Sequence, residues 1–250
     1  MIKKKFKDEL LDKKDLTFVE HLGELRKRIV YSVIIFIIAV GICYNYSEAI
    51  IKNIVNIAPD VDFVFIAPAE LLMSYVKISL VCGLVISAPF LLFQLWQFVS
   101  PGLKLKEKQY IVVSLFSGSL FFIVGVMFSY IIVLPTLIVF FIGFKIEEIQ
   151  PMIGFSNYLT FVINTLLAFG VIFELPIVMV LLSRFGLVKV SFMKKNRKYF
   201  ILVIFIVAAI LTPPDIISQV LLGIPMTILF EIGIFLSSLS EKKRDNKTPS

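Results

Sequence analysis

The sequence is poor in the residues most often used for chemistry. Its 250 residues include one histidine, His21, and two cysteines, Cys43 and Cys82. A Ser-His-Asp or Cys-His arrangement would have only His21 to draw on. Both cysteines fall inside apolar stretches, which suggests neither a disulfide framework nor a metal site. There is no glycine-rich phosphate loop and no His/Cys metal spacing. The paired aspartates or Ser/His pair of an intramembrane protease are also missing. The expectation is a chain that is not an enzyme and holds no cofactor. Internal repeats and low-complexity tracts are absent too. No cleavable signal is expected, because the first apolar span follows a 28-residue polar segment and no small-residue cleavage site comes after it.

Apolar surface is what the chain has in excess. It is 58% hydrophobic with 25 phenylalanines, and its mean hydropathy is +0.94. Such a composition is too apolar for a soluble domain and predicts one integral membrane unit. About 20 apolar residues cross the hydrocarbon as a helix. On that measure the sequence predicts an all-α, polytopic protein with six spans, at Ile29–Tyr46, Leu71–Val99, Ile111–Leu134, Tyr158–Leu182, Phe200–Leu211 and Ile216–Leu236. The third continues past Pro135 as an apolar stretch to Phe144, expected to kink into a cap on the outer face. The last two are short. Phe200–Leu211 covers about 18 Å and the uninterrupted apolar part of the sixth, Ile216 to Phe230, about 22 Å, both less than a ~30 Å core. Between them the paired prolines of Thr212-Pro213-Pro214-Asp215 stop one helix, and Asp215 can cap the next. The chain divides into a cytoplasmic segment 1–28 with a surface helix, a transmembrane domain 29–237, and a polar tail 238–250, expected to be disordered after Leu239.

Basic residues are distributed unevenly. Segments 1–28, 100–110, 183–199 and 237–250 hold 22 of the 25 lysines and arginines, leaving Lys52, Lys77 and Lys145. The positive-inside rule then places both termini in the cytoplasm. The net charge of +7 is a topology signal with some affinity for anionic lipid, and no soluble basic face suggests nucleic acid.

Within the spans, charge is rare. Glu174 is the only charge in Tyr158–Leu182. A carboxylate there costs roughly 2.5 kcal/mol or more, so it is either used or hidden in the bundle interior. Lys77, near the outer end of the second span, reads as a snorkelling side chain, and Glu231, near the inner end of the sixth, as one reaching water. Before the first span, Thr17-Phe18-Val19-Glu20 fits a capping box. Phe18, Leu22, Leu25 and Ile29 then form one apolar stripe of a membrane-surface helix. On spacing alone Glu24 and Arg28 form an intrahelical ion pair, and Glu107 is a solvated acid among lysines.

Four motifs carry a resemblance. His21-Leu22-Gly23-Glu24-Leu25-Arg26-Lys27-Arg28 resembles the N-terminal motif of the TatC family, and Phe98-Val99-Ser100-Pro101-Gly102-Leu103 with Glu107 its first inner loop. Phe169-Gly170-Val171-Ile172-Phe173-Glu174-Leu175-Pro176 is similar to its fourth-helix motif. Leu211-Thr212-Pro213-Pro214-Asp215 with Ser218-Gln219, Ile224-Pro225 and Phe230-Glu231 is similar to its last hairpin. The match runs in order from about Phe18 to Ser237. One departure is that Gln109 rather than a base follows Lys108.

The resemblance implies a concave, glove-like six-helix bundle that is the receptor and core subunit of the twin-arginine protein translocase. Its inner face would bind twin-arginine signal peptides, and folded cargo would cross by the proton-motive force. Glu24 and Glu107 match the positions that take the guanidinium groups, with Arg26, Phe98 and Leu103 on the same surface and His21 and Arg28 supporting it. Glu174, with Pro176 and Gln219, would dock single-span TatA/TatB-type subunits. Asp215, Pro213, Pro214, Lys77 and Glu231 take structural or secondary roles. Further partners are other copies of the chain and the lipid bilayer, and the location implied is a bacterial cytoplasmic membrane. The competing expectation is a small proton-coupled secondary transporter with Glu174 as carrier and Lys77 as its partner, although such folds usually show internal repeats.

Overall fold

The computed structural model describes residues 18–59, 61–99, 105–143, 152–211 and 216–245, with backbone alone at 18–21, 96–97, 99, 105–112 and 242–245. Helix α1 (Phe18–Val55) runs unbroken from the amphipathic segment through the first apolar span. No proline interrupts it, and Gly23 and Gly41 meet nothing within 4 Å. Helix α2 (Pro68–Val99) starts on a proline, which needs no partner for a missing N–H at the first helical position. Its Glu70 carboxylate accepts from the Ile66 amide at 2.9 Å, which holds the incoming chain against the first turn.

The third apolar region is helix α3 (Leu105–Phe128), a π turn over Ser129–Val133, and helix α4 (Leu134–Gly143). The kink expected at Pro135 takes the form of that π turn. Pro135 has no N–H to give and its ring crowds the carbonyl of Ile131, so the turn before it widens.

The fourth region was expected to be one uninterrupted span but is two helices, α5 (Phe155–Ile172) and α6 (Leu175–Arg184). Pro176 removes a donor and crowds the carbonyl of Ile172. The chain responds with a tighter turn, in which the Glu174 amide donates to Val171 O at 3.1 Å. Helix α6 closes at Gly186, whose φ of 74° lets the Leu187 amide reach back to Leu182 O at 3.0 Å.

After a short helix α7 (Val190–Lys195) come α8 (Arg197–Leu211) and α9 (Ile216–Asp245). α8 begins three residues before the expected span, and its 15 residues cover about 22 Å. The tail is helical through Asp245, not disordered from Leu239, because α9 simply continues into the charged residues.

Two three-residue strands depart from an all-helical fold. β1 (Asp62–Val64) pairs in parallel with β2 (Met152–Gly154), Phe63 opposite Ile153. Phe63 anchors this patch with its ring 4.6 Å from that of Tyr158, whose hydroxyl donates to Ile54 O at 2.8 Å.

Among the described residues, five stretches are long and apolar enough to cross a membrane: Leu22–Val55, Pro68–Leu95, Val113–Gly143, Phe155–Arg184 and Ile216–Glu241. The protein is a polytopic helical membrane protein. α1 is the least enclosed, with Ile37 and Ile38 both more than half exposed, as suits a lipid-facing helix. Among the described residues the interior has two apolar cores. One joins Phe169, Phe173, Leu222, Met226 and Phe230, the other Ile54, Ile78, Leu134, Leu159 and Val162.

Close helix contact depends on small residues, since lipid gives no hydrophobic drive between spans. A Cβ on Gly125 of α3 would stand 2.5 Å from Phe169 O and 2.8 Å from Phe173 Cβ. α3 can therefore lie on α5 only with glycine there.

Candidate functional site

Glu24 sits in the first two turns of α1, and its Oε1 accepts from Arg28 Nη2 at 2.9 Å. Arg28 also donates through Nη1 to Gln94 Oε1 of α2 at 3.2 Å. Both charged side chains are about three-quarters enclosed, at 23% exposure for Glu24 and 24% for Arg28. α1 and α2 lie antiparallel, with Val40 against Gly83 higher up and Arg28 beside Gln94 lower down. The seam thus presents one carboxylate carrying a guanidinium fixed from the neighbouring helix.

Phe98, four residues beyond Gln94, is half-buried on the same face of α2, while Arg26 is exposed. Glu107 falls in the first turn of α3 by its backbone. Its side chain lies outside the described residues, as do the side chain of His21 and all of Leu103, Pro213, Pro214 and Asp215.

The second constellation surrounds Glu174, at the break between α5 and α6. Its half-buried carboxyl points at Gly118 of α3, where an added Cβ would stand 2.8 Å from Oε2 and 3.3 Å from Oε1. Oε1 is enclosed and has no hydrogen-bond partner among the described residues. A buried polar atom left open in this way is costly unless something else completes it. Pro176 is fully buried two residues on and fixes the turn that aims Glu174. A cavity of about 480 Å³ lies among α3, α6 and α9, lined by Ser114, Ser117, Ile177, Arg184 and Ser240. It reaches the residues flanking the Glu174–Gly118 contact and runs to the basic end of the bundle, where Arg184 donates to Ser240.

Other residues singled out from sequence are tied into the fold. Gln219 of α9 donates its side-chain amide to Phe205 O of α8 at 2.9 Å, which fastens the last hairpin. Glu231 accepts from Arg197 Nη2 at 2.9 Å, so it has a partner as well as water access. Lys77 is exposed and reaches Ser156 Oγ at 3.5 Å, in the first turn of α5. Ser156 is about 27 Å of helix from Glu174 at 1.5 Å per residue. Lys77 and Glu174 therefore do not form a pair. Gln94, Gly118 and Arg197 were not singled out from sequence. A polar residue late in an apolar span was the only mark of Gln94, and nothing local marked the others.

Comparison with known proteins bears on the family and the fold. Residues 20–225 match the family model described as Sec-independent protein translocase protein (TatC). The chain is 41% identical over 234 residues to the Sec-independent protein translocase protein TatC of Desulforapulum autotrophicum, covering 92% of this chain and 87% of that one. It is 36% identical to the protein of the same name from Aquifex aeolicus, covering 92% and 98%. Two crystal structures of the twin arginine translocase receptor TatC, one in DDM, superpose with TM-scores of 0.75 and 0.78 at 36% identity, each over 99% of its length and over 88% and 87% of this chain. The chain belongs to the TatC family of Sec-independent protein translocase proteins, membrane components of a translocase rather than enzymes.

Proposed function

We propose that this chain is the receptor and core subunit of a twin-arginine translocase. It binds the consecutive arginines of a signal peptide at the bundle end that carries Glu24 and Glu107. It docks single-span partner subunits through Glu174 and nucleates the assembly that exports folded proteins on the proton-motive force. That bundle end faces the cytoplasm, because the basic residues gather there.

The observation that carries the reading is the Glu24–Arg28 contact at 2.9 Å. A partly enclosed carboxylate at this seam already takes a guanidinium group, so its position and surroundings suit the ligand proposed for it. Guanidinium binds carboxylate as a planar fork, whereas an ammonium is a hydrated point charge. The open Oε1 of Glu174 supports the docking role, since a polar side chain on a partner helix would complete it.

The test is equilibrium binding of a twin-arginine peptide to the full chain in lipid nanodiscs. Glu24→Ala or Glu107→Ala is expected to weaken binding by roughly 1–3 kcal/mol, the cost of one charge-assisted pair. Replacing the peptide's arginines by lysines should cost a similar amount in wild type and much less in the variants. Simple addition of the two losses would show that these carboxylates do not contact the arginines. A proton-coupled transporter is not favoured, because its second charge, Lys77, is held beside Ser156 and away from Glu174.

A further inference from the structure

The cavity among α3, α6 and α9 changes character from one end to the other. α3 enters it from the basic end of the bundle, and α6 and α9 leave toward that end. Ser114, Arg184 and Ser240 therefore meet at one level, while Phe121, Ile177 and Leu236 line the deeper part. The run from Val113 to Phe121 gives a depth of about 12 Å at 1.5 Å per residue, with Ser117 midway. Among the described residues that line the cavity, Arg184 carries the one charge. Glu174 does not line it. It lies about 15 Å of helix from Arg184, with its carboxyl aimed at Gly118.

We propose that this cavity binds an anionic phospholipid from the leaflet at the basic end. The Arg184 guanidinium and the hydroxyls of Ser114 and Ser240 hold the phosphate, and one acyl chain runs down past Ser117 to Phe121. Charge selects the headgroup. Guanidinium grips phosphate as a planar fork, and its five donors are enough to hold Ser240 through Nε and a phosphate together. The apolar depth selects a lipid over a free anion. A soluble phosphate would leave water against Phe121, Ile177 and Leu236, whereas an acyl chain covers them. The volume of about 480 Å³ is that of a small-molecule site, and takes the phosphate with the upper part of one chain. Lys194 and Lys195 at the end of α7 also attract anionic lipid, but they do not line the cavity. The proposal is independent of the roles given to Glu24 and Glu174.

The experiment titrates the delipidated full chain in detergent with phosphatidylglycerol, phosphatidylcholine or inorganic phosphate. Native mass spectrometry counts the bound molecules, and thermal stability is followed in parallel. Wild type is expected to keep one phosphatidylglycerol more tightly than the rest and to be stabilised by it, with several-fold weaker binding of phosphatidylcholine and none of inorganic phosphate. Arg184→Gln should weaken that tight binding several-fold. Val180→Trp fills the middle of the cavity while leaving Arg184 in place, and should weaken it as well. Lys194→Gln removes a charge at the same end but outside the cavity, and should leave it unchanged. Equal retention of the two lipids by wild type overturns the proposal, and so does stabilisation by inorganic phosphate alone. A loss in Lys194→Gln equal to that in Arg184→Gln would show diffuse attraction to the basic end and overturn it too. If Arg184→Gln does not fold, Val180→Trp decides, and wild-type retention of phosphatidylglycerol there removes the site.

Discussion

Glu174 and Gly118 face each other across the contact between α3 and the α5–α6 break, with no room for a Cβ on Gly118 beside the Glu174 carboxyl. The obstacle is the free end of a flexible side chain. At Gly125, one heptad along the same helix, the obstacle is the carbonyl oxygen of Phe169. The two glycines therefore play different roles, one leaving space for the Glu174 carboxyl and the other allowing helices to touch.

Alanine substitution should separate them. Gly118→Ala is expected to leave thermal stability in detergent nearly unchanged, because the carboxyl can swing aside, and to reduce the co-purification of single-span partners. Gly125→Ala has to move backbone, and should destabilise by about 1–3 kcal/mol, the usual cost of overpacking. Stability loss at residue 118 equal to that at residue 125 would mean that Glu174 is rigidly held and not displaceable.

At Glu174 itself, glutamine and alanine should differ. A hydrogen bond to a partner helix in lipid is worth about 0.6–2 kcal/mol, and glutamine keeps both donor and acceptor. Glu174→Gln is expected to retain substantial assembly and transport, while Glu174→Ala loses its partners but still binds signal peptide. A proton carrier would order them otherwise, since glutamine does not titrate. Equal and complete inactivity of both variants with partners still bound would favour proton coupling over docking.

These contacts also show how far the sequence could be read. Apolar spans are legible because charge is costly in hydrocarbon, and Glu174 stood out for the same reason. The Glu24–Arg28 pair is legible because it follows helical spacing. Its third member, Gln94, is 66 residues from Arg28 and has no periodic mark. The same holds for Arg197 and Glu231, 34 residues apart, and for β1 and β2, which pair across three helices. The break at Glu174 is not legible from Pro176 alone, because prolines are tolerated within spans where neighbours satisfy the freed backbone groups. Local periodicity gave the elements, and long-range contacts gave the site.

The last hairpin should prove to be held by the Gln219–Phe205 bond more than by the Arg197–Glu231 pair. Gln219 is half-buried and its bond is made within the apolar part, whereas the ion pair is 48% and 42% exposed. Gln219→Leu is expected to cost about 0.6–1.7 kcal/mol of stability. A double-mutant cycle on Arg197 and Glu231 should return about 0.2–1 kcal/mol, falling with added salt. A larger coupling for the ion pair would reverse the ranking.

The orientation of the bundle is open to a direct test. α1 starts, α2 ends and α6 ends on one side, and the segments on that side carry 22 of the 25 basic residues. Moving them across the bilayer during insertion would cost far more than moving the three remaining lysines, so that side should stay in the cytoplasm. Ile66, before α2, and Leu187, after α6, lie at opposite ends and are 88% and 71% exposed. With Cys43 and Cys82 replaced by serine, single cysteines at these two positions can be probed in intact cells with a membrane-impermeant maleimide. Ile66→Cys should label readily, and Leu187→Cys only after the membrane is opened. Strong labelling of Leu187→Cys in intact cells would invert the bundle. The Glu24 seam would then face away from the cytoplasm, out of reach of any signal peptide arriving from inside.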